Sequence, residues 1–195
     1  ILMPVADGCD SVLKLDLTIP PALQVDMDVH HRACYGDGDE YAEATVSGGF
    51  AQGYLYYWTN ETGDTISRTN RIEHCGPGSY FLSVCDAVHP DCEKTMPVAI
   101  TEPAQLQLSL VESDNFCYGE NDGLIVVAYS GGTPDYTVTY SGPVSASKLV
   151  SIPVSKDTLR SDFDNGSYTV TVTDNNGCSV SLAPIVFADS TDVYN

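Results

Sequence analysis

Positive charge is what this chain has least of. Eight Lys and Arg stand against 27 Asp and Glu, a formal net charge of −19. No basic cluster occurs, and neutralising phosphates requires a positive face, so nucleic acid is excluded as a partner. An anionic membrane surface would repel the chain as well. Long apolar runs are missing too: none approaches about 18 residues, which excludes direct insertion as a spanning helix. No Cys-x-x-Cys pair exists and the four His are scattered, a poor basis for zinc. Those histidines, His30, His31, His74 and His89, all fall in the first half. No acid/base constellation can therefore recur along the chain, and no enzyme is expected. Neither a signal peptide nor a sorting tail is recognisable, as expected of a piece of a longer polypeptide.

What the chain does have is one stretch written twice. Cys34-Tyr35-Gly36, then Ser47-Gly48-Gly49, then Tyr54 through Trp58 form the first copy. Cys117-Tyr118-Gly119, Ser130-Gly131-Gly132 and Tyr136 through Tyr140 form the second. Cys34 to Cys117 is 83 residues, Cys9 to Cys92 is 83, and Cys92 to Cys178 is 86. Gly78 through Asp86 matches Gly166 through Asp174 at nearly the same period, each followed by a turn and a cysteine. A fixed period dictates the architecture. It divides the chain into the C-terminal hairpin of a preceding, truncated repeat (1–21), repeat 1 (22–103), repeat 2 (104–189) and the start of a further linker (190–195).

Strand signals fill both repeats. Leu13 to Ile19 alternates, and so does Leu23 to Val29. Ala42 to Val46, Tyr54 to Trp58, a weaker run from Ile66 to Ile72, Tyr80 to Val84 and Thr95 to Ile100 follow, with Pro97 marking an edge strand. Repeat 2 follows the plan through Leu106–Leu110, Leu124–Tyr129, Tyr136–Tyr140, Leu149–Val154, Tyr168–Val172 and Ser179–Phe187. Asn176-Gly177 is a hairpin signal. No helix-period segment of any length interrupts them. Short strands separated by Gly, Asn, Asp and Pro predict an all-β protein of tandem immunoglobulin-like β-sandwich repeats joined by short Pro-containing hinges. Trp58 is expected in a core.

Seven cysteines point to an oxidising compartment. Cys9 belongs to the truncated repeat, which accounts for the odd count. One early and one late cysteine per repeat favours pairing inside each: Cys34 with Cys92, Cys117 with Cys178, and the additional Cys75 with Cys85. Closing the 58-residue Cys34–Cys92 separation contributes roughly 4 kcal/mol in the chain-entropy model, and the ten-residue Cys75–Cys85 loop roughly 2.7 kcal/mol.

These motifs together resemble the SprB repeat. They are Cys-Tyr-Gly with an acidic Gly turn, Ser-Gly-Gly before an aromatic strand, and Gly-Ser-Tyr-x-Val-x-Val-x-Asp-Asn-x-Gly-Cys. That family builds very large surface adhesins of gliding Bacteroidetes. The resemblance covers both repeats and the N-terminal remnant, and repeat 2 fits better. Repeat 1 departs at Phe50-Ala51-Gln52-Gly53, where repeat 2 has Thr133-Pro134, at Cys75 and Cys85, and at His89-Pro90-Asp91. The resemblance implies secretion across the outer membrane and attachment to the cell surface.

No cofactor is expected, with calcium the one inorganic alternative. Hard cations need several converging oxygens. Asp37, Asp39, Glu120 and Asp122 are the main candidates, with Glu40, the hairpin acids Asp86, Asp91 and Asp174, and the hinge acids Glu102 and Asp189 beside them. Against this, Asp sits in turns because it caps the backbone there. O-glycosylation at an Asp followed by Ser or Thr and a small apolar residue is a further reading, with Ser11, Thr65, Thr158 and Ser190 as acceptors. The functional expectation is a non-enzymatic stalk or adhesive module in gliding motility. Its partners would be neighbouring repeats of the same polypeptide, and surface polysaccharide or another surface protein. The alternative is a carbohydrate-binding accessory module using Tyr54, Tyr56, Tyr57, Trp58, Tyr136 or Tyr140 as an exposed platform.

Overall fold

The structure is a computed structural model that describes residues 14–50, 52–114 and 122–188. Every regular element among them is a β-strand. Repeat 1 contains β1 (Gln24–His30), β2 (Tyr41–Ser47), β3 (Tyr54–Thr59), β4 (Thr65–Ser67), β5 (Arg71–Glu73), β6 (Gly78–Asp86) and β7 (Glu93–Ile100). Repeat 2 contains β8 (Gln107–Asp114), β9 (Gly123–Ser130), β10 (Tyr136–Ser141), β11 (Ala146–Val150), β12 (Val154–Phe163), β13 (Gly166–Thr173), β14 (Ser179–Ser181) and β15 (Ile185–Phe187).

The two repeats have one topology. In repeat 1 an antiparallel sheet ordered β1-β2-β5 faces a sheet ordered β4-β3-β6-β7. In repeat 2 a sheet ordered β8-β9-β12 faces β11-β10-β13, and β14 and β15 pair in succession with the free side of β13. β14 and β15 are thus β7 cut in two, with Pro184 between them. Pro97 lies within β7, which is an edge strand, where a missing N–H is tolerated.

Each sandwich buries its own core, built from alternate positions. Tyr80, Leu82 and Val84 of β6 and Val98 and Ile100 of β7 meet Val25, Ala42, Ala44 and Ile72 across the gap, around a fully buried Trp58. In repeat 2 the corresponding Tyr168, Val170, Val172, Ile185 and Phe187 pack on Ile125, Val127 and Tyr129. Tyr140 holds the place of Trp58, packed edge-on against Phe163 with ring centroids 5.0 Å apart.

Three sequence expectations change. The run Ile66 to Ile72 is not one strand: β4 pairs with β3 and β5 pairs with β2, so the chain crosses from one sheet to the other between them. The same crossing occurs at 151–153, and the ten-residue β12 beyond it was not expected. Its sequence is polar because most of it faces outward, and register shifts interrupt its pairing with β9. Of the expected strand through Ile19, residues 14–20 form no strand, and Leu15, Leu17 and Ile19 are exposed. An isolated segment has no ladder to satisfy its backbone.

Candidate functional site: the junction between the repeats

The Gly-Gly element of each repeat explains itself in space. Gly49 and Gly132 adopt φ +62°, a left-handed conformation that glycine enters without steric cost. A methyl group on Gly49 would collide with the Asp86 carboxylate, and one on Gly132 would lie 2.6 Å from Asp174 Oδ2. Added carbon at Gly48 or Gly131 would strike the carbonyl of Ala22 or Gln105, the segments entering each sandwich. Those entering segments are fastened alike: Gly49 N–H donates to Pro21 O at 2.8 Å, and Gly132 N–H to Ala104 O at 2.7 Å. Tyr54 and Tyr136 donate their hydroxyls to Gly48 O and Gly131 O, each at 2.8 Å.

The aspartates are the other half of this corner. Asp86 accepts N–H bonds from Phe50, Val88 and His89. Asp174 accepts from Thr133, Asn176 and Cys178. The Phe50 N–H, foremost, holds the Asp86 carboxyl below the usual carboxylate range. Both side chains are buried. Each carboxylate therefore closes a turn, and its lone pairs go to backbone donors, as a capping aspartate's do.

At the opposite end of repeat 1, charge is concentrated. Glu40 is fully buried and receives Arg32 Nε at 2.8 Å, Arg32 Nη2 at 3.0 Å and Gly76 N–H at 2.7 Å. The guanidinium holds the Glu40 carboxyl at about 2, against the opposing effect of burial. Arg32 also reaches Glu102 in the hinge at 3.2 Å, and Glu102 accepts Gly36 N–H. Arg32 N–H donates to Thr101 O, and Thr101 N–H donates to His31 Nδ1. The hinge is thereby clamped to repeat 1 by both backbone and side chains.

Repeat 2 is fastened to the same end. Cys34 and Cys178 form a disulfide, with Cα atoms 5.7 Å apart. Asn176 Nδ2 donates to Ala33 O at 2.9 Å. A shallow groove between Tyr35, Asp37, Gln105, Leu106 and Val180 runs beside the bond.

This corrects the expected pairing. Cys34 pairs with Cys178 and not with Cys92, and Cys75, Cys85 and Cys92 are free thiols. The reason is strand direction. Cys34 follows the far end of β1, whereas Cys92 follows the far end of β6, which is the near end of β1. A seven-residue strand is roughly 23 Å long, and a disulfide tolerates only about 7 Å between Cα atoms. Cys75 precedes β6 and Cys85 lies near its end, so the same distance separates them. Cys117, expected to pair with Cys178, lies outside the described residues.

The other candidates are dispersed. Asp37 and Asp39 are exposed, and Asp39 faces His30 at 3.3 Å. Glu120 lies outside the described residues, and Asp122 directly precedes β9. Among the described residues no group of three or more His, Cys, Asp or Glu is placed to hold a metal ion. Thr65 and Thr158 are exposed on β4 and β12, while Ser11 and Ser190 lie outside the described residues. Asp157, which precedes Thr158, is buried and bonded to Tyr129 and Lys148. The aromatic candidates do not form one platform. Trp58 and Tyr136 are buried, Tyr54 is tied to Gly48, Tyr57 is covered by Arg68 at 5.0 Å, and Tyr56 and Tyr140 pack on the cores. Sequence reasoning missed Arg32 altogether and read Asn176 only as a turn residue. Their signal was weak, a lone Arg in an acidic chain and an Asn that a turn already explained.

No protein-family profile and no curated protein matches the chain. Among solved structures, a two-domain fibronectin type III segment of chicken tenascin is similar at 15% identity, over 87% of this chain and 100% of that one, with a TM-score of 0.34. A TM-score that low decides nothing, and the sandwich assignment stands on the strand pairing above.

Proposed function

We propose that this chain is a non-enzymatic, load-bearing segment of a tandem-repeat protein displayed outside the cytoplasm, where stacked sandwiches act as a stalk or adhesive module. The finer version of the reading is a repeat segment of a gliding-motility adhesin of the SprB type. One observation carries the proposal: a covalent bond crosses the junction between two sandwiches that already share a clamped hinge. Such a bond requires an oxidising compartment to persist. The charge of −19 keeps a long array soluble and self-repelling. The carbohydrate-platform alternative loses its support, because its rings are buried, tied or covered.

The test is rigidity together with location. NMR relaxation on the oxidised chain is expected to give one overall tumbling time, splitting into two after reduction. Antibodies against residues 22–188 are expected to label intact cells of the source organism. Independent tumbling of the oxidised sandwiches, or labelling only after lysis, would overturn the proposal.

A further inference from the structure

The face of repeat 2 that receives repeat 1 is built from three parts: the entering segment held by Gly132, the Asp174-anchored turn, and Cys178. Repeat 1 carries the same three parts at the equivalent face. Gly49 holds Pro21 as Gly132 holds Ala104. Asp86 N–H donates to Cys92 O at 3.1 Å, as Asp174 N–H does to Cys178 O at 2.9 Å. Cys92 therefore occupies the backbone position of Cys178, and it is an exposed free thiol. The faces differ in one respect. Where repeat 2 has Thr133 and Asn176, repeat 1 has Phe50 packed at a tilt against His89, ring centroids 4.3 Å apart, beside a half-exposed Val88, on a turn two residues longer.

We infer that this face of repeat 1 is the docking surface for another repeat of the same kind, whose early-cysteine turn bonds to Cys92 as the Cys34 turn bonds to Cys178. Successive repeats would then be joined by a ladder of bonds, each running from the early cysteine of one repeat to the late cysteine of the next. Pro21 and Ala22 enter at this face as Ala104 and Gln105 enter repeat 2, so a repeat arriving through that segment is delivered to it. The Phe50 and Val88 shoulder adds apolar surface where the Cys34–Cys178 junction has the polar Thr133 and Asn176. The chemistry balances with a small-molecule disulfide such as oxidised glutathione as oxidant. One cysteine thiolate attacks it and releases one glutathione thiol. The second cysteine thiolate then displaces the other, so two protons and two electrons pass to glutathione.

The inference rests on the tandem-repeat reading, and the experiment separates the two. Residues 22–104, with Ser in place of Cys92 in the added copy alone, are placed a second time directly before residue 22, so that Ala104 of the added copy takes the position of Pro21 and the original Cys92 is the one Cys92 present. The chain is refolded in a glutathione buffer, trapped with iodoacetamide and mapped as non-reduced peptides. The expected result is two junction bonds, the added copy's Cys34 with Cys92 and the original Cys34 with Cys178. With the original Cys92 replaced by Ser as well, the added copy's Cys34 should be alkylated. Alkylated Cys92 alongside an intact Cys34–Cys178 bond would overturn this inference alone. Alkylation of both Cys34 and Cys178 would overturn it together with the load-bearing proposal.

Discussion

Cys34 and Cys178 are 144 positions apart in the chain, yet their Cα atoms stand 5.7 Å apart. The bond makes a bypass: tension applied at the two ends of the chain crosses from one sulfur to the other, and the residues between them are not stretched. Single-molecule pulling of the oxidised chain should therefore release little length. After reduction, unfolding should release roughly 490 Å more, at about 3.4 Å per residue. Equal extensions in the two states would show that the bond is not in the load path.

The bond should also couple the melting of the two repeats. In the chain-entropy model a closed loop of this length adds at most about 5 kcal/mol. Trp58 is the only tryptophan and is fully buried in repeat 1, so its fluorescence reports that repeat alone. In oxidised protein the Trp58 transition and the calorimetric transition should coincide. In C34S they should separate, with repeat 1 and repeat 2 melting independently. C92S should match the parent within about 0.5 kcal/mol, as expected of an exposed position.

The corner formed by Gly132 and Asp174 offers a coupled pair. Gly132→Ala should cost about 2–3 kcal/mol, because the new carbon meets the Asp174 carboxylate at a left-handed φ. Asp174→Ala should cost about 3 kcal/mol by leaving three turn N–H groups without their acceptor. The double variant should be less destabilised than the sum, since removing the carboxylate makes room for the methyl group. Strict additivity in urea unfolding would refute the contact.

Acid should loosen repeat 1 through Glu40. Its carboxyl titrates at about 2 in the folded chain against an ordinary 4.5, because Arg32 binds the ionised form. A depressed carboxyl contributes its full stability above the unfolded value and loses it as pH falls from about 4.5 to 2. Asp86, also in repeat 1, shifts in the same direction and adds to the slope. Urea midpoints of Glu40→Gln should fall less steeply over this window than those of the parent chain. Parallel curves would assign the acid sensitivity elsewhere.

Much of this was legible from the residues in order. Tyr80-Phe81-Leu82-Ser83-Val84 alternates because one sheet face is buried and the other is not, and β6 is found there. The 83-residue period announced two sandwiches of one topology, and two such sandwiches are present. The polar β12 was not legible, because most of its length faces outward and carries no apolar alternation. The Ser-Gly-Gly motif was visible as a motif but not as a mechanism. Its cause is an aspartate 37 or 42 positions further on, which only folding brings against it.

Local order along the chain determined the strands, the turns, the repeat and the burial of Trp58, since alternation and turn chemistry act between near neighbours. Which cysteine meets which was decided by the tertiary structure. Cys34 and Cys92 belong to one repeat, but they lie at opposite ends of strands longer than a disulfide can span. Stacking two sandwiches end to end instead brings the bottom of one against the top of the next, and a cysteine from each is waiting there.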